Sequence, residues 1–370
     1  MMTKSVCRWG ILGTANIARK NWRAIRMAEN ATLTAVASRT TERAQTFINE
    51  CQATDYFANP LAAVGSYDAL LTRDDVDAIY IPLPTGLRKE WVLKAAQAGK
   101  HVLVEKPVGV AGTDVREMLD ACMSANVQFM DGVMFMHSQR LEALRTTLED
   151  GESVGTLRRI ATQFSFQAGE EFLKGDIRMH GNLEPAGCVG DLGWYNIRFT
   201  LWAMKYQMPT RVRGQLLAAA GSPDSPDRVP VEFSGELLFG NDVSASFYCS
   251  FQTENQQWAN LSGSKGFIHV RDFVLPFYGS EADFTVSRAG FCQVGCDFDA
   301  LDHTNRIAIS EFSNGRQNSQ ETNMIRQFSK LALSGKPDQT WGEITLKTQT
   351  VMDACLTSAQ QDGAWQTITA

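Results

Sequence analysis

Several features that assign a function class directly are scarce or absent in this chain of 370 residues. It has no run of 18 or more apolar residues, so no transmembrane helix is expected. The net charge of −6 and the pI near 5.5 argue against nucleic acid as a partner. The first residues lack the basic, apolar and small-residue order of a signal peptide. We therefore expect a cytoplasmic protein with no membrane partner.

Cysteine and histidine form no recognisable redox or metal motif. The eight cysteines are scattered, and the closest pair, Cys292 and Cys296, has neither zinc-ribbon nor CxxC spacing. Reduced core thiols are therefore expected. The five histidines are dispersed and contain no His-x-x-x-His pattern, so no metal site is predicted.

The composition is ordinary for a globular protein, with 44% hydrophobic and 21% charged residues. A chain of this length is expected to form two domains. Up to about residue 132, short apolar strands alternate with helices, which is typical of a parallel, doubly wound sheet. Four turns at strand carboxyl ends follow Gly13, Ser38, Pro82 and Glu105. Such ends border the ligand crevice of an open parallel sheet.

The first of these turns resembles a dinucleotide-binding fingerprint. The segment Gly13-Thr14-Ala15-Asn16-Ile17-Ala18 has the form G-x-A-x-x-A, in which alanine replaces two of the three glycines. Backbone N–H groups at the start of the following helix would bind phosphate. A plain strand, turn and helix without a ligand is the alternative.

The second turn indicates which dinucleotide is bound. The strand ends at Ser38-Arg39-Thr40, and Arg43 lies one helical turn further on. A hydroxyl and a guanidinium are suited to a ribose 2′-phosphate, which favours NADP(H). Glu42 is the alternative, since a carboxylate would bind the ribose hydroxyl and favour NAD(H).

The third and fourth turns contain two short proline motifs. Pro82-Leu83-Pro84-Thr85 forms a rigid turn, and Glu105-Lys106-Pro107 ends an apolar strand, with Lys106 at its carboxyl end. We assign Pro82, Leu83, Thr85, Glu105 and Lys106 to the cofactor edge. An ordinary solvated lysine is the alternative for Lys106.

The pattern changes after about residue 134. Strands dominate between residues 211 and 290, and helices are predicted at 321–334 and 345–361, which suggests an open antiparallel sheet covered on one face. Asp191 and Tyr195 are spaced i, i+4 at the start of an amphipathic helix that ends near Met204. Helix capping for Asp191 and core packing for Tyr195 are the alternatives to a catalytic role.

Four segments resemble the Gfo/Idh/MocA oxidoreductase family, namely residues 9–18, 80–85, 98–107 and 190–195. The resemblance covers nearly the whole chain. It implies a Rossmann domain at 1–132 and, at 133–370, an α+β domain with a large, mostly antiparallel open sheet for substrate binding and oligomerisation. The C-terminal helices are expected to pack back on the first domain. A homodimer or homotetramer through the open sheet is also implied.

The resemblance also implies roles for three residues. Lys106 matches the family's catalytic lysine, Asp191 its substrate-side acid, and Tyr195 the proton donor or acceptor. The chain departs from the family at Thr85 and Arg88, where many members have asparagine and histidine. Phe135-Met136-His137 also departs from the usual arginine-containing segment.

Together these features predict an NADP(H)-dependent oxidoreductase, with NAD(H) as the alternative cofactor. Its substrate would be a carbohydrate-like molecule: a sugar, a polyol or another vicinal diol. A cation near a phenol lowers the phenol's pKa, so Lys106 could assist proton transfer by Tyr195. The alternative function is a non-catalytic NADP-binding regulator or sensor of the same fold.

Overall fold

The computed structural model describes residues 6–368, so the first five residues, on which the expectation of no signal peptide partly depends, lie outside it. The chain divides into two compact units. The first contains the chain up to His137, His180–Pro185 and Asn314–Thr350, and the second contains Ser138–Met179, Ala186–Ser313 and the chain from Val351. The functional domain boundary expected between residues 132 and 133 stays a prediction.

The first unit is built on a six-stranded parallel sheet with the order β3-β2-β1-β4-β5-β6. Its strands are β1 (Cys7–Leu12), β2 (Ala31–Ala37), β3 (Ala62–Val64), β4 (Ala78–Ile81), β5 (His101–Val104) and β6 (Phe129–Asp131). Every residue of β4 is buried, as expected where a parallel sheet is covered on both faces. The predicted doubly wound fold is confirmed.

The helices of both units are accompanied, among residues 6–368, by short 3₁₀ turns and one π-helical segment. They are α1 (Asn16–Met27), α2 (Thr41–Gln52), α3 (Tyr67–Leu71), α4 (Thr85–Gln97), α5 (Gly112–Ser124), α6 (Arg140–Glu149), α7 (Glu170–Gly175), α8 (Trp194–Ala203), α9 (Gln320–Ser334) and α10 (Thr340–Gln360). Helix α9 packs within the first unit, where the Trp9 indole N–H donates to Ser329 Oγ at 3.0 Å. Among residues 6–368, no helix is long and apolar enough to span a membrane.

The second unit contains a nine-stranded sheet with the order β14-β13-β12-β11-β7-β10-β9-β8-β15. Its strands are β7 (Leu157–Gln167), β8 (Arg211–Ala220), β9 (Val229–Leu238), β10 (Ser244–Ser250), β11 (Gln252–Gly263), β12 (Phe267–Val270), β13 (Glu281–Val294), β14 (Asp297–Ser310) and β15 (Gln366–Thr367). Neighbouring strands are antiparallel except β7 and β10. Buried and partly exposed residues alternate along β9, so one face of the sheet forms the core. The expected mostly antiparallel sheet is confirmed.

Two local predictions need correction. Helix α8 is buried at all ten positions, so the helix expected to be amphipathic is surrounded by protein. The sequence also predicts a helix from Leu87 to Ala98. The corresponding helix, α4, begins two residues earlier, at Thr85.

Candidate functional site

Four of the predicted turns meet at one edge of the parallel sheet. The Gly13 amide, after β1, donates to the last residue of β2 at 3.0 Å, and the Glu105 amide, after β5, donates to the last residue of β4 at 3.1 Å. The strand order reverses between β1 and β4, which is where such a sheet opens a ligand crevice. The structure therefore brings together the turns at Gly13, Ser38, Pro82 and Glu105.

The turn after β1 has a backbone conformation that requires glycine. Gly13 has φ +119°, a conformation that favours glycine, and a Cβ there would lie 3.1 Å from Leu83 Cδ2. The residue before helix α1 is Ala15, whose methyl group cannot cap the first helical amides. Asn16 and Ile17, at the helix start, are exposed. Backbone N–H groups at this end of α1 are thus suited to an anionic ligand.

The turn after β2 presents hydroxyls and guanidinium groups. Ser38 is buried, and its hydroxyl lies 3.4 Å from the Thr14 hydroxyl. Arg39 and Arg43 are exposed. The exposed Glu42 has a lowered pKa, because its own amide and the Thr40 hydroxyl donate to its carboxylate. The turn therefore contains arginines that could bind the 2′-phosphate of NADP and a carboxylate, Glu42, that could bind the ribose hydroxyl of NAD.

Tyr67 joins this edge and was not singled out by the sequence analysis. Burial raises the pKa of its hydroxyl, while the nearby Arg39 and Arg43 act in the opposite direction. The hydroxyl lies 3.8 Å from where a Cβ on Gly13 would stand, and the ring packs edge-on against Trp91 at 4.9 Å. The Tyr67 hydroxyl therefore lies near both the Gly13 turn and the two arginines.

The Lys106 turn stands on a buried hydrogen-bond network. The Lys106–Pro107 peptide bond is cis. The Glu105 carboxylate accepts from the Tyr80 hydroxyl at 2.6 Å and from the Lys106 amide at 3.3 Å. Tyr80 is fully buried, and burial followed by the Glu105 charge raises its pKa well above the usual value. The side chain of Glu105 thus supports the turn from within the unit.

Thr85 is buried, and its amide and hydroxyl form hydrogen bonds with neighbouring side chains. Its amide donates to Glu184 Oε1 at 3.0 Å, and its hydroxyl donates to Glu184 Oε2 at 2.5 Å. Arg88 Nη1 donates to the same hydroxyl at 2.9 Å. Cofactor contact by Thr85, like that by Pro82 and Leu83, stays a prediction.

In the second unit, Asp191 lies in a π-helical segment, Val189–Gly193, that leads directly into α8. Its carboxylate accepts from Arg178 Nε at 2.9 Å, and Arg178 also contacts Asp176 at 3.1 Å. Helix capping, the alternative role for Asp191, does not fit this position, since Asp191 lies within the helical segment rather than at its N-cap.

Tyr195 lies in the first turn of α8 and is 6% exposed. Its ring packs against Phe164 of β7, with the centroids 5.7 Å apart. The small exposed fraction places the side chain in a largely desolvated setting, where electrostatic interactions are strong. A catalytic role for Tyr195 stays a prediction.

Sequence reasoning missed Tyr67, Arg178 and Glu184. Arg178 and Glu184 lie in a polar stretch with scattered glycines, where no periodicity or motif marks them. Their partners are distant or concealed in turns, so only tertiary contacts identify them. Among residues 6–368, no group of three or more His, Cys, Asp or Glu side chains is arranged to hold a metal ion.

Two family models match this chain. Residues 7–133 match the oxidoreductase family model with the NAD-binding Rossmann fold, GFO_IDH_MocA. Residues 141–269 match the GFO/IDH/MocA C-terminal domain.

Individual relatives agree with these models. A dTDP-3,4-didehydro-2,6-dideoxy-alpha-D-glucose 3-reductase from Streptomyces violaceoruber is 34% identical over 77% of this chain and 79% of its own length. D-xylose 1-dehydrogenase (NADP(+)) 2 from Haloferax volcanii is 31% identical over 70% of this chain and 74% of its own length. The 3-ketoreductase KijD10 from Actinomadura kijaniata, solved with NADP and TDP-benzene, has a TM-score of 0.78 and 25% identity, covering 95% of this chain and 97% of KijD10.

Proposed function

Since the chain belongs to the Gfo/Idh/MocA oxidoreductase family, we propose that it is an NADP(H)-dependent enzyme that acts on a carbohydrate-like substrate. The observation that carries this proposal is the edge of the parallel sheet. There the Gly13 turn and the Lys106 turn follow β1 and β5, the two strands that flank β4. One turn is suited to phosphate, and the other places a lysine beside it on the same edge.

The preference for NADP(H) depends on Ser38, Arg39 and Arg43. A guanidinium offers paired donors and a permanent charge to a 2′-phosphate. The names of the Haloferax volcanii xylose dehydrogenase and of the KijD10 complex also include NADP. NAD(H), held through Glu42, is the alternative cofactor.

When bound at this edge, a nicotinamide cofactor would supply hydride transfer to or from a substrate carbonyl or carbinol carbon. Tyr195 gives its phenolic proton to the substrate oxygen during reduction and takes it back during oxidation. Lys106 stabilises negative charge on that oxygen and so assists proton transfer by Tyr195. Asp191, held by Arg178, orients a substrate hydroxyl by accepting its hydrogen bond.

The substrate class is a sugar, a polyol or another vicinal diol. The relatives act on a deoxysugar nucleotide and on xylose, according to their names. A trans-1,2-dihydrobenzene-1,2-diol dehydrogenase from Bos taurus is 28% identical over 72% of this chain, and its name adds a non-sugar diol. Adjacent oxygen-bearing carbons are the feature that these named substrates share.

Assembly and location complete the proposal. The partly exposed residues of β9 form a second sheet face that a homodimer or homotetramer would cover. Light scattering of the purified protein measures this assembly directly. A cytoplasmic location depends on the scattered cysteines, which a reducing compartment would keep as thiols.

The test is Lys106→Ala, assayed with NADPH or NADP⁺ against sugars, sugar nucleotides and diols. We expect kcat to fall by about 10²–10⁴-fold, because a group that acts in proton transfer is lost. NADPH affinity, measured by fluorescence titration, should stay near the original value. Lys330→Ala, at an exposed site on α9, is the matched control. Full turnover by Lys106→Ala would disprove the assignment of Lys106.

A further inference from the structure

A single buried guanidinium joins the turns that follow β4 and β5. Arg88 is 5% exposed, and its Nε donates to the Leu83 carbonyl at 2.7 Å. Its Nη1 donates to the Thr85 hydroxyl at 2.9 Å and to the Pro107 carbonyl. Pro107 directly follows Lys106, so the Arg88 fork fixes the backbone next to the proposed catalytic lysine. The planar, multiply donating guanidinium matches these acceptors in a way that a point charge does not.

The Glu184 carboxylate binds Thr85, which also accepts a hydrogen bond from Arg88. It accepts from the amide and hydroxyl of Thr85, the first residue of α4, where negative charge is favoured by the helix dipole. Its Oε1 also lies 3.9 Å from Arg88 Nη2. With both groups largely buried, removing either partner would leave a poorly compensated charge. Arg88, Thr85 and Glu184 therefore form one interdependent cluster.

The backbone around Glu184 is also seated on α4. The Gly86 amide donates to the Leu183 carbonyl at 3.0 Å. A Cβ at Gly86 would lie 2.2 Å from the Asn182 carbonyl oxygen, so this close approach requires glycine. The segment His180–Pro185 belongs to the first unit, although the chain on both sides belongs to the second. The Glu184 side chain thus attaches the segment His180–Pro185 to the start of α4, a position that no sequence pattern predicts.

We propose that Arg88 and Glu184 are positioning residues for Lys106. This inference rests on the proposed function, in which Lys106 acts on the substrate oxygen. Arg88 holds the Pro107 carbonyl, and Glu184 holds the Arg88 fork and the start of α4. A displacement of the Lys106 ammonium by about 1 Å is enough to lower the rate by about 10²-fold. Thr85 and Arg88, at which this chain departs from its family, would then position the same lysine through different side chains.

The first experiment compares Arg88→Lys in the original enzyme and in Lys106→Ala. Lysine keeps the charge but loses the fork, so we expect kcat to fall by about 10²-fold with little change in NADPH affinity. In the Lys106→Ala background the same substitution should leave the residual rate unchanged, because two residues that act through one group are non-additive. Single-turnover assays with excess enzyme make that residual rate measurable.

A second variant, Glu184→Gln, keeps the side-chain length and an acceptor for the Thr85 amide. We expect a smaller loss of kcat and the same non-additivity with Lys106→Ala. It tests the inference even if Arg88→Lys fails to fold. Arg116→Lys, at an exposed position on α5, is the matched control for the arginine substitution and should leave kcat unchanged.

The outcomes separate the two proposals. Equal fold-losses of kcat in the original and Lys106→Ala backgrounds would overturn the positioning role, while the proposed function would stand. The same holds if Arg88→Lys or Glu184→Gln folds with kcat intact. Full turnover by Lys106→Ala alone would overturn the assignment of Lys106 and the positioning role with it.

Discussion

The two sheets of this protein use their surfaces in different ways. In the first unit, short parallel strands are buried, and the candidate binding groups lie in the turns at the strand ends. In the second unit, strands of up to 14 residues form a mostly antiparallel sheet, and the candidate groups lie on a buried helix packed near its covered face. Helix α8 contacts the sheet through the packing of Tyr195 against Phe164.

This difference teaches where sequence patterns are informative. A parallel strand that ends in glycine or proline marks its own functional edge, because the turn must follow at once. A helix buried on all sides has no polar face to reveal its orientation. Its partners, such as Arg178 for Asp191, come from segments without a motif. Four substitutions, in three experiments, sharpen the contrast between the units.

The largest expected effect concerns ion pairs of different burial. In the second unit, Arg140 Nη1 pairs with Asp272, and both side chains are at most 6% exposed. Arg140→Met should lower the free energy of unfolding by about 3–5 kcal/mol, since Asp272 is left as a buried unpaired charge. In the first unit, Arg8 pairs with Asp77 at 2.7 Å but is 31% exposed. Arg8→Met should cost about 1 kcal/mol or less.

Urea denaturation, monitored by circular dichroism, measures the stability of Arg140→Met and Arg8→Met. Because the chain has two units, the transition midpoints of the variants are compared with those of the original protein. Equal losses of unfolding free energy in the two variants would contradict the prediction that the buried ion pair contributes more.

A smaller effect is expected at the cofactor edge of the first unit. Arg39→Ala should weaken NADPH binding by about 10–100-fold, which is about 1.4–2.7 kcal/mol, because a charged donor to the 2′-phosphate is lost. NADH affinity should change little, since NADH lacks that phosphate. Fluorescence titration with both dinucleotides measures this, with Arg116→Ala as control. A preference of the original protein for NADH would refute the role of Arg39 and favour Glu42.

The smallest effect concerns His269 on β12 of the second unit. Burial, followed by the charge of Arg271, lowers the pKa of this imidazole, whose Nδ1 lies 2.7 Å from Asn260 Oδ1. The unfolded chain, with an ordinary pKa of about 6.5, therefore binds a proton first as the pH falls. The contribution of His269 is complete above that value and is lost as the pH falls through the lower folded-state pKa.

Urea midpoints at pH 8 and pH 5 test this dependence on His269. We expect the original protein to lose slightly more stability over this range than His269→Gln, whose side chain does not titrate. Because the imidazole is only half-buried, solvent reduces the difference. An identical decline in both proteins would rule out the role of His269.

Much of the first unit could be predicted from the sequence, and less of the second. The sequence predicts a helix over Tyr67–Leu71, and α3 has these bounds. The four turns also follow the strand ends at which they were predicted. The hairpin of β13 and β14 was not resolved into strands by the sequence analysis. Every residue of β14 except Ile307 and Ile309 is exposed, so the alternation that marks a half-buried strand is missing. Edge strands of this kind form through their hydrogen bonds to a neighbour.

The sequence by itself determined the family, the doubly wound sheet and the position of Lys106 at a strand end. These depend on local chemistry, namely apolar runs, glycine and proline in turns, and the order of strands and helices. Only the tertiary structure decided what surrounds that lysine. Tyr80 and Arg88 contact the Lys106 turn through Glu105 and Pro107, and Glu184, 78 residues after Lys106, contacts Thr85 and Arg88 in turn. Hydrogen bonds over such separations form because folding brings buried polar groups to partners, and no local pattern records which partner each will find.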